Sequence, residues 1–102
     1  MKNILVIDDE IDICNNIKAI LTDEGFNIQV AHNSDDAFNY MNKHSYSLII
    51  LDVWLDNSKY DGLEILKQIR KNLTIPIIII SGHGNIEMAV SAIKDGANEF
   101  IE

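Results

Sequence analysis

Carboxylate and hydroxyl side chains follow three separate apolar segments of this chain. Asp8 and Asp9 come directly after residues 3–7, Asp52 ends the segment 47–52, and Ser81 follows residues 77–80. Three carboxylates close together would repel one another, and each would resist ionisation unless a cation lay between them. Mg²⁺ (or Mn²⁺) prefers oxygen ligands, and Asp9 and Asp52 with one backbone carbonyl would suffice to hold it.

An aspartate in such a cluster can attack phosphorus and form an aspartyl-phosphate, with a bound metal neutralising the phosphoryl charge. The Ser81 hydroxyl could then donate a hydrogen bond to that group. Each residue also has an ordinary structural explanation: acids before a helix favour its dipole, Asp52 could belong to a turn, and Ser81 could be a loop hydroxyl. Their coincidence at the ends of three core strands favours the metal and phosphoryl interpretation.

Strands and helices alternate along the sequence. Continuous apolar runs predict strands over residues 3–7, 47–52 and 76–80, and residues 27–31 and 98–102 are also predicted to be strands. Apolar residues at helical spacing predict helices over 11–24, 34–43 and 63–69, and a fourth that begins after Asn85 and closes at Gly96. Gly25 would end the first helix, Ser34 is the expected N-cap of the second, and the apolar side of the first helix is expected to include Ile13, Cys14, Ile17, Ile20 and Leu21.

This alternation predicts the α/β class, with one doubly wound parallel sheet of five strands, flavodoxin-like, in the order 2-1-3-4-5. Strands that are apolar throughout are expected to be covered on both faces. Ligands bind such sheets beyond the carboxyl ends of the strands, where strand order reverses. Asp8, Asp9, Asp52 and Ser81 should therefore meet at one edge of the sheet.

Composition limits the classes of function. The chain has 102 residues and fits one domain over 1–102, and its net charge of −8 disfavours direct binding of nucleic acid, which needs a basic face. No apolar run approaches the roughly 18 residues of a membrane span and no signal peptide is evident, so the protein is expected to be soluble and cytoplasmic. Cys14 is expected to be a buried structural thiol, and the three histidines lack the spacing of a zinc site.

The assembled pattern resembles the response-regulator receiver family, whose fold is often called CheY-like. The residues that carry the resemblance cover the whole chain: Ile4 to Glu10 (ILVIDDE), Leu51-Asp52, Asp61-Gly62-Leu63 and Ile80-Ser81-Gly82. The resemblance implies that Asp52 is the phosphoacceptor and that Asp8, Asp9 and the backbone carbonyl of Trp54 hold the metal with it. It also implies that Ser81 is the switch hydroxyl and that Phe100 occupies the aromatic switch position.

Residues 81–84, 88–90, 96–97 and 100–102 look like receivers of sigma-54-dependent activators or of certain nitrogen-fixation regulators. Residues 52–55, with a stretched loop before Asp61-Gly62, are similar to the nitrogen-regulation NtrX group in particular. In that group a sensor histidine kinase supplies the phosphoryl group, and an output module that regulates transcription follows the receiver. The chain departs from the family in two places: the loop after Asp52 is longer and lacks a proline, and the sequence ends at Glu102, before the family's lysine and last helix. Without that helix one face of the sheet should be uncovered, and we expect the fragment to self-associate.

Three other functions compete with a phosphorylated receiver, which would catalyse only its own phosphorylation and dephosphorylation. A haloacid-dehalogenase-type phosphatase needs an aspartate where Trp54 stands, and a flavodoxin-like cofactor binder would find its phosphate repelled by Asp8-Asp9-Glu10. An interaction module that signals without phosphorylation stays open. The resemblance also places Trp54 and His83 where they could affect loss of the phosphoryl group, although Trp54 could simply pack on the loop and His83 could face solvent.

Overall fold

The computed structural model of the protein describes residues 2–55, 60–81 and 86–101. Strands and helices alternate through them, as predicted. The elements are β1 (Asn3–Ile7), α1 (Ile11–Asp23), β2 (Asn27–Ala31), α2 (Ser34–Lys43), β3 (Leu48–Asp52), α3 (Gly62–Arg70), β4 (Ile77–Ile80), α4 (Ile86–Lys94) and β5 (Glu99–Ile101). The predicted cap Asn85 lies outside the described residues, and so does His83.

The five strands form one parallel sheet in the order β2-β1-β3-β4-β5. This confirms the predicted doubly wound α/β fold. Strand order reverses between β1 and β3, and Ile7 of β1 is aligned with Leu51 of β3. The residues that follow these two positions, Asp8 and Asp52, are therefore neighbours at the carboxyl edge of the sheet.

Helices α2, α3 and α4 pack on one face of the sheet and α1 packs on the other. The centre of the first face is fully buried, because alternate residues of β1, β3 and β4 form one core with Ile65, Leu66 and Ile69 of α3. Those strand residues are Leu5, Ile7, Ile49, Leu51, Ile77 and Ile79. The second face buries Ile4, Val6 and Cys14, which confirms the buried thiol, while Val30 and Ile50 are only partly covered.

The apolar side of α1 is narrower than predicted. Cys14, Ile17 and Leu21 pack toward the sheet, whereas Ile13 and Ile20 are 37% and 64% exposed. A helix that lies over a sheet buries only the stripe that faces the strands, and no other described helix packs on this side. Ile13 and Ile20, which share the apolar spacing of this helix, therefore lie outside the core, and the sheet beside α1 is only partly covered by the described residues.

Local differences from the prediction have identifiable causes. The N-cap of α2 is Asn33, not Ser34, because the Asn33 side chain accepts a 2.8 Å hydrogen bond from the Asp36 N–H. The Ser34 hydroxyl instead accepts a 3.2 Å hydrogen bond from the Tyr60 N–H, which fastens the end of the β3–α3 loop to α2. β5 begins at Glu99 and not at residue 98, since the Asn98 side chain accepts a hydrogen bond from the Ile77 N–H.

Two glycines with positive φ end helices, but their surroundings differ. Gly25 has φ +95° and open space around its missing Cβ. Gly96 has φ +110°, and a Cβ there would meet the side chain of Arg70. The Arg70 guanidinium donates hydrogen bonds of 2.8 Å to the Gly96 carbonyl and 2.9 Å to the Asn98 side chain, and so joins α3 to the turn between α4 and β5.

We predict that Gly96→Ala is more destabilising than Gly25→Ala. Both substitutions force an L residue into positive φ, which costs about 1 kcal/mol. Only Gly96→Ala also displaces Arg70, which should cost about 1 to 2 kcal/mol more through lost hydrogen bonds. Urea unfolding of both variants measures the difference. Equal losses of stability would show that the Arg70 contact contributes nothing.

Candidate metal and phosphoryl site

Three carboxyl groups meet at the carboxyl edge of the sheet. Asp8 and Asp9 follow β1, and Asp52 is the last residue of β3. One oxygen from each lies within 4.8 Å of the others. The parallel register produces this cluster, because it aligns the ends of β1 and β3, and the structure brings together the three acids that the sequence predicted.

Asp8 is held by its own local structure. Its side chain is 1% exposed, and Oδ1 accepts a 2.9 Å hydrogen bond from the Glu10 N–H at the N-cap of α1. Its N–H extends the sheet by donating a 3.0 Å hydrogen bond to the Ala31 carbonyl. One Asp8 carboxylate oxygen therefore stabilises the start of α1, which agrees with the ordinary structural explanation for an acid before a helix. The same carboxyl group also belongs to the cluster.

The cluster carries unfavourable electrostatics. Burial, together with the charges of Asp8 and Asp9, raises the pKa of Asp52 to about 7, although the hydrogen bond from the Trp54 backbone N–H stabilises the ionised form. Burial also raises the pKa of Asp8. A hydrogen bond between the two carboxyl groups favours the proton on Asp52. Among the described residues, the side-chain charges that act on Asp52 are negative, so this donor set suits a hard divalent cation.

Gly62 lets α3 begin against the backbone of Asp52. Its N–H donates a 3.0 Å hydrogen bond to the Val53 carbonyl, and a Cβ at this position would collide with the carbonyl oxygen of Asp52. A capping box at Asp61 and Glu64 fixes the start of the helix. In the sequence, Asp61-Gly62 stands out only as part of a family pattern, which does not reveal this steric role. The role depends on the space between two segments, which no local pattern reports.

The other predicted site residues lie at or near the same edge. Ser81 is buried directly after β4, and its N–H donates a 3.0 Å hydrogen bond to the Ile101 carbonyl of β5. Phe100 is partly buried on β5 and packs against the core. Trp54 is 51% exposed, and its backbone N–H donates a 3.3 Å hydrogen bond to Asp52 Oδ1.

Comparison with known proteins decides the family. The profile of the response regulator receiver domain matches residues 4–102. The chain belongs to the response regulator receiver domain family. The resemblance that the sequence suggested is thus confirmed over residues 4–102 of this chain.

The receiver is similar to the NtrX group. A putative NtrX-like response regulator of Rickettsia bellii (strain RML369-C) is 54% identical over 101 residues, which cover 98% of this chain and 21% of that protein. The crystal structure of the receiver domain of NtrX from Brucella abortus is 47% identical with a TM-score of 0.91, covering 97% of this chain and 83% of that one. The receiver thus spans about a fifth of the length of the curated relatives it matches.

A further solved structure is a response regulator protein from Burkholderia pseudomallei with a phosphorylated aspartic acid, a calcium ion and citrate. It is 29% identical with a TM-score of 0.91, and the match covers 99% of this receiver and 59% of that chain.

We predict that the metal-free receiver loses stability as pH rises from about 4 to about 7. The folded pKa of Asp52, about 7, lies above its usual 3.8, so the folded state keeps a proton that the unfolded state releases in this range. The penalty is absent below pH 4 and complete above pH 7. Asp52→Asn should remove it and be more stable than wild type at pH 8, on the order of 2 kcal/mol after solvent screening.

Urea unfolding in EDTA at pH 4 and pH 8 tests this prediction. Asp23→Asn is the matched control, because Asp23 is exposed at the end of α1 and outside the cluster. The control should keep the wild-type pH profile. A profile of Asp52→Asn that parallels wild type would contradict the prediction.

Proposed function

We propose that this receiver accepts a phosphoryl group on Asp52 from a sensor histidine kinase. Mg²⁺ (or Mn²⁺) would be held by Asp8, Asp9, Asp52 and the backbone carbonyl of Trp54. The observation that carries the proposal is the cluster of three carboxyl groups within 4.8 Å at the strand ends, with a raised pKa at Asp52. A site that strains its own carboxylates in this way favours a ligand that brings positive charge.

The residues of the cluster have separate tasks in the reaction. When bound, the metal supplies the positive charge that keeps the carboxyl groups ionised and neutralises the phosphoryl oxygens. The Trp54 N–H on Oδ1 orients the Asp52 carboxylate. A carboxylate oxygen of Asp52 forms the new bond to phosphorus as the bond from phosphorus to the donor breaks, and the Ser81 hydroxyl donates a hydrogen bond to the transferred group.

Ser81 and Phe100 would report the phosphoryl group to the rest of the protein. The Ser81 N–H is bonded to the carbonyl of Ile101, the residue that follows Phe100 on β5. A displacement of Ser81 toward a phosphoryl group on Asp52 would therefore pull on β5 and disturb the packing of the half-buried aromatic ring. This connection supports Ser81 as the switch hydroxyl and Phe100 as the aromatic switch position.

The related structure from Burkholderia pseudomallei, with its phosphorylated aspartic acid and calcium ion, supports the proposal over the competing functions. Trp54 stands where a dehalogenase-type phosphatase needs an aspartate, and the acids after β1 disfavour a phosphate-containing cofactor. We therefore propose a signalling module that modifies only itself. A receiver that signals by binding alone is the remaining alternative, and uptake of a phosphoryl group distinguishes the two.

In the parent protein, we propose, this receiver controls a covalently linked output module that regulates transcription, and it acts in the cytoplasm. The length of the NtrX-like relatives supports a further module. No helix in the described part of the chain is long and apolar enough to cross a membrane. The net charge of −8 disfavours contact between the receiver itself and nucleic acid.

We predict that incubation with Mg²⁺ and acetyl phosphate adds one phosphoryl group, detected by intact mass. The adduct should be absent in EDTA and in Asp52→Asn, and strongly reduced in Asp9→Asn because a metal ligand is lost. Glu10→Gln is the control, since Glu10 is exposed beside the cluster and should react like wild type.

The outcome without an adduct is also informative. If a chain extended past Glu102 reacts and this one does not, the extension supplies a necessary group. If neither reacts, the phosphoacceptor proposal is overturned and signalling by binding alone is favoured.

We also predict that the 102-residue chain self-associates through the side of the sheet that α1 covers. Ile20 is exposed there and Val30 and Ile50 are partly exposed, and burial of such surface favours association. Sedimentation velocity should show a concentration-dependent dimer that Ile20→Glu weakens. Val90→Glu, on exposed α4 at the opposite face, is the control. A monomer at high concentration would contradict the prediction.

A further inference from the structure

The backbone carbonyl of Asp8 accepts hydrogen bonds from two side chains. His32 Nδ1 lies 2.9 Å from this oxygen, and Cys14 Sγ of α1 lies 3.3 Å from it. The two donors are 3.9 Å apart. Side chains from the end of β2 and from α1 thus converge on the peptide that joins Asp8 to Asp9.

The His32 side chain supplies a hydrogen bond to the Asp8 carbonyl at the point where β2 has ended. The β1–β2 ladder ends with the Asp8 N–H bonded to the Ala31 carbonyl, and β2 itself ends at Ala31. In a regular parallel ladder the next carbonyl would accept an N–H from the neighbouring strand. The imidazole of His32 takes that place, so the Asp8 carbonyl is hydrogen-bonded from the β2 side although the strand itself has ended.

The hydrogen bond to the Asp8 carbonyl determines which ring nitrogen of His32 carries a hydrogen. A carbonyl oxygen can only accept, so Nδ1 of His32 must carry the hydrogen at this 2.9 Å separation. Both the neutral tautomer with that hydrogen and the imidazolium form satisfy this requirement. His32 is exposed overall, so the contact serves the Asp8 peptide and does not fill the core.

We infer that His32 is a positioning residue for the cation site, acting through the peptide between Asp8 and Asp9. This inference rests on the proposed function. A change of ψ at Asp8 or of φ at Asp9 would turn the Asp9 carboxylate relative to the Asp8 carboxylate, because this peptide joins the two Cα atoms that carry them. His32 restricts this rotation from the β2 side while the Glu10 N–H holds the Asp8 carboxylate from the α1 side.

A role in stability alone predicts a different result. If the hydrogen bond only satisfied a carbonyl, its loss would lower the unfolding temperature and leave the affinity of the folded protein for Mg²⁺ unchanged. If His32 positions the cluster, its loss weakens Mg²⁺ binding at temperatures where the protein is fully folded. Partners that orient metal ligands from outside the coordination shell typically contribute 10- to 100-fold in metal affinity.

Titration with Mg²⁺ separates these possibilities. Trp54 is the single tryptophan and lies two residues after Asp52, whose Oδ1 accepts a hydrogen bond from its backbone N–H, so its fluorescence is the probe for Mg²⁺ binding. His32→Leu, which has no donor, should raise the Mg²⁺ dissociation constant about tenfold. His32→Asn keeps an N–H donor near the Nδ1 position and should restore most of the affinity. His44→Leu is the matched control, on an exposed histidine after the C-terminus of α2.

The rate of phosphorylation by acetyl phosphate provides a second readout. In His32→Leu the Mg²⁺ concentration for half-maximal rate should rise by the same factor, while the rate at saturating Mg²⁺ returns to the wild-type value. Circular dichroism establishes that each variant is folded, and His32→Ala replaces His32→Leu if leucine prevents folding.

Two results would overturn the inference: wild-type Mg²⁺ affinity in the variants without a donor, or an equal loss of affinity in His32→Asn. Failure of the proposed function gives a different pattern, in which the wild-type receiver itself binds no Mg²⁺ and takes up no phosphoryl group.

Discussion

Repulsion among three carboxyl groups held within 4.8 Å is the constraint around which this receiver is built. Burial and like charge raise the pKa of Asp52 to about 7, so the fold keeps an acid where an isolated aspartate would have lost its proton. The arrangement reduces the stability of the folded state near neutral pH. It persists because parallel pairing of β1 with β3 aligns the ends of these strands, and the core beneath them is fully buried.

Several other features make sense as supports for that edge. Gly62 allows α3 to start against the Asp52 backbone, and the capping box at Asp61 and Glu64 keeps the helix there. The hydrogen bond from the Tyr60 N–H to the Ser34 hydroxyl holds the end of the β3–α3 loop against α2. His32 continues the hydrogen bonding of the sheet beyond its last N–H. These supports come from the β2–α2 and β3–α3 connections, so the positions of the acids depend on more than the strands that carry them.

The two faces of the sheet differ in coverage, and this difference separates stability from association. Helices α2, α3 and α4 bury the centre of one face completely, and Arg70 joins α3 to the turn before β5 at that side. On the other face α1 buries Cys14 but leaves Ile20 exposed. Core stability therefore resides mainly in the face that carries three helices, while the α1 face has apolar surface available for contact.

The sequence by itself determined the order of strands and helices, the parallel sheet, and the three acids that end strands, because apolar periodicity and strand-ending residues are local properties of the chain. It also indicated the family, because the motif ILVIDDE and the pair Asp61-Gly62 are each short contiguous segments of the chain. Only the tertiary structure decided the raised pKa of Asp52 and the space that Gly62 leaves for the Asp52 carbonyl. The same holds for the hydrogen bond from the His32 side chain to the Asp8 carbonyl and for the exposure of Ile20. Each of these depends on distances between segments far apart in the chain, which strand register and helix packing set and no local pattern encodes.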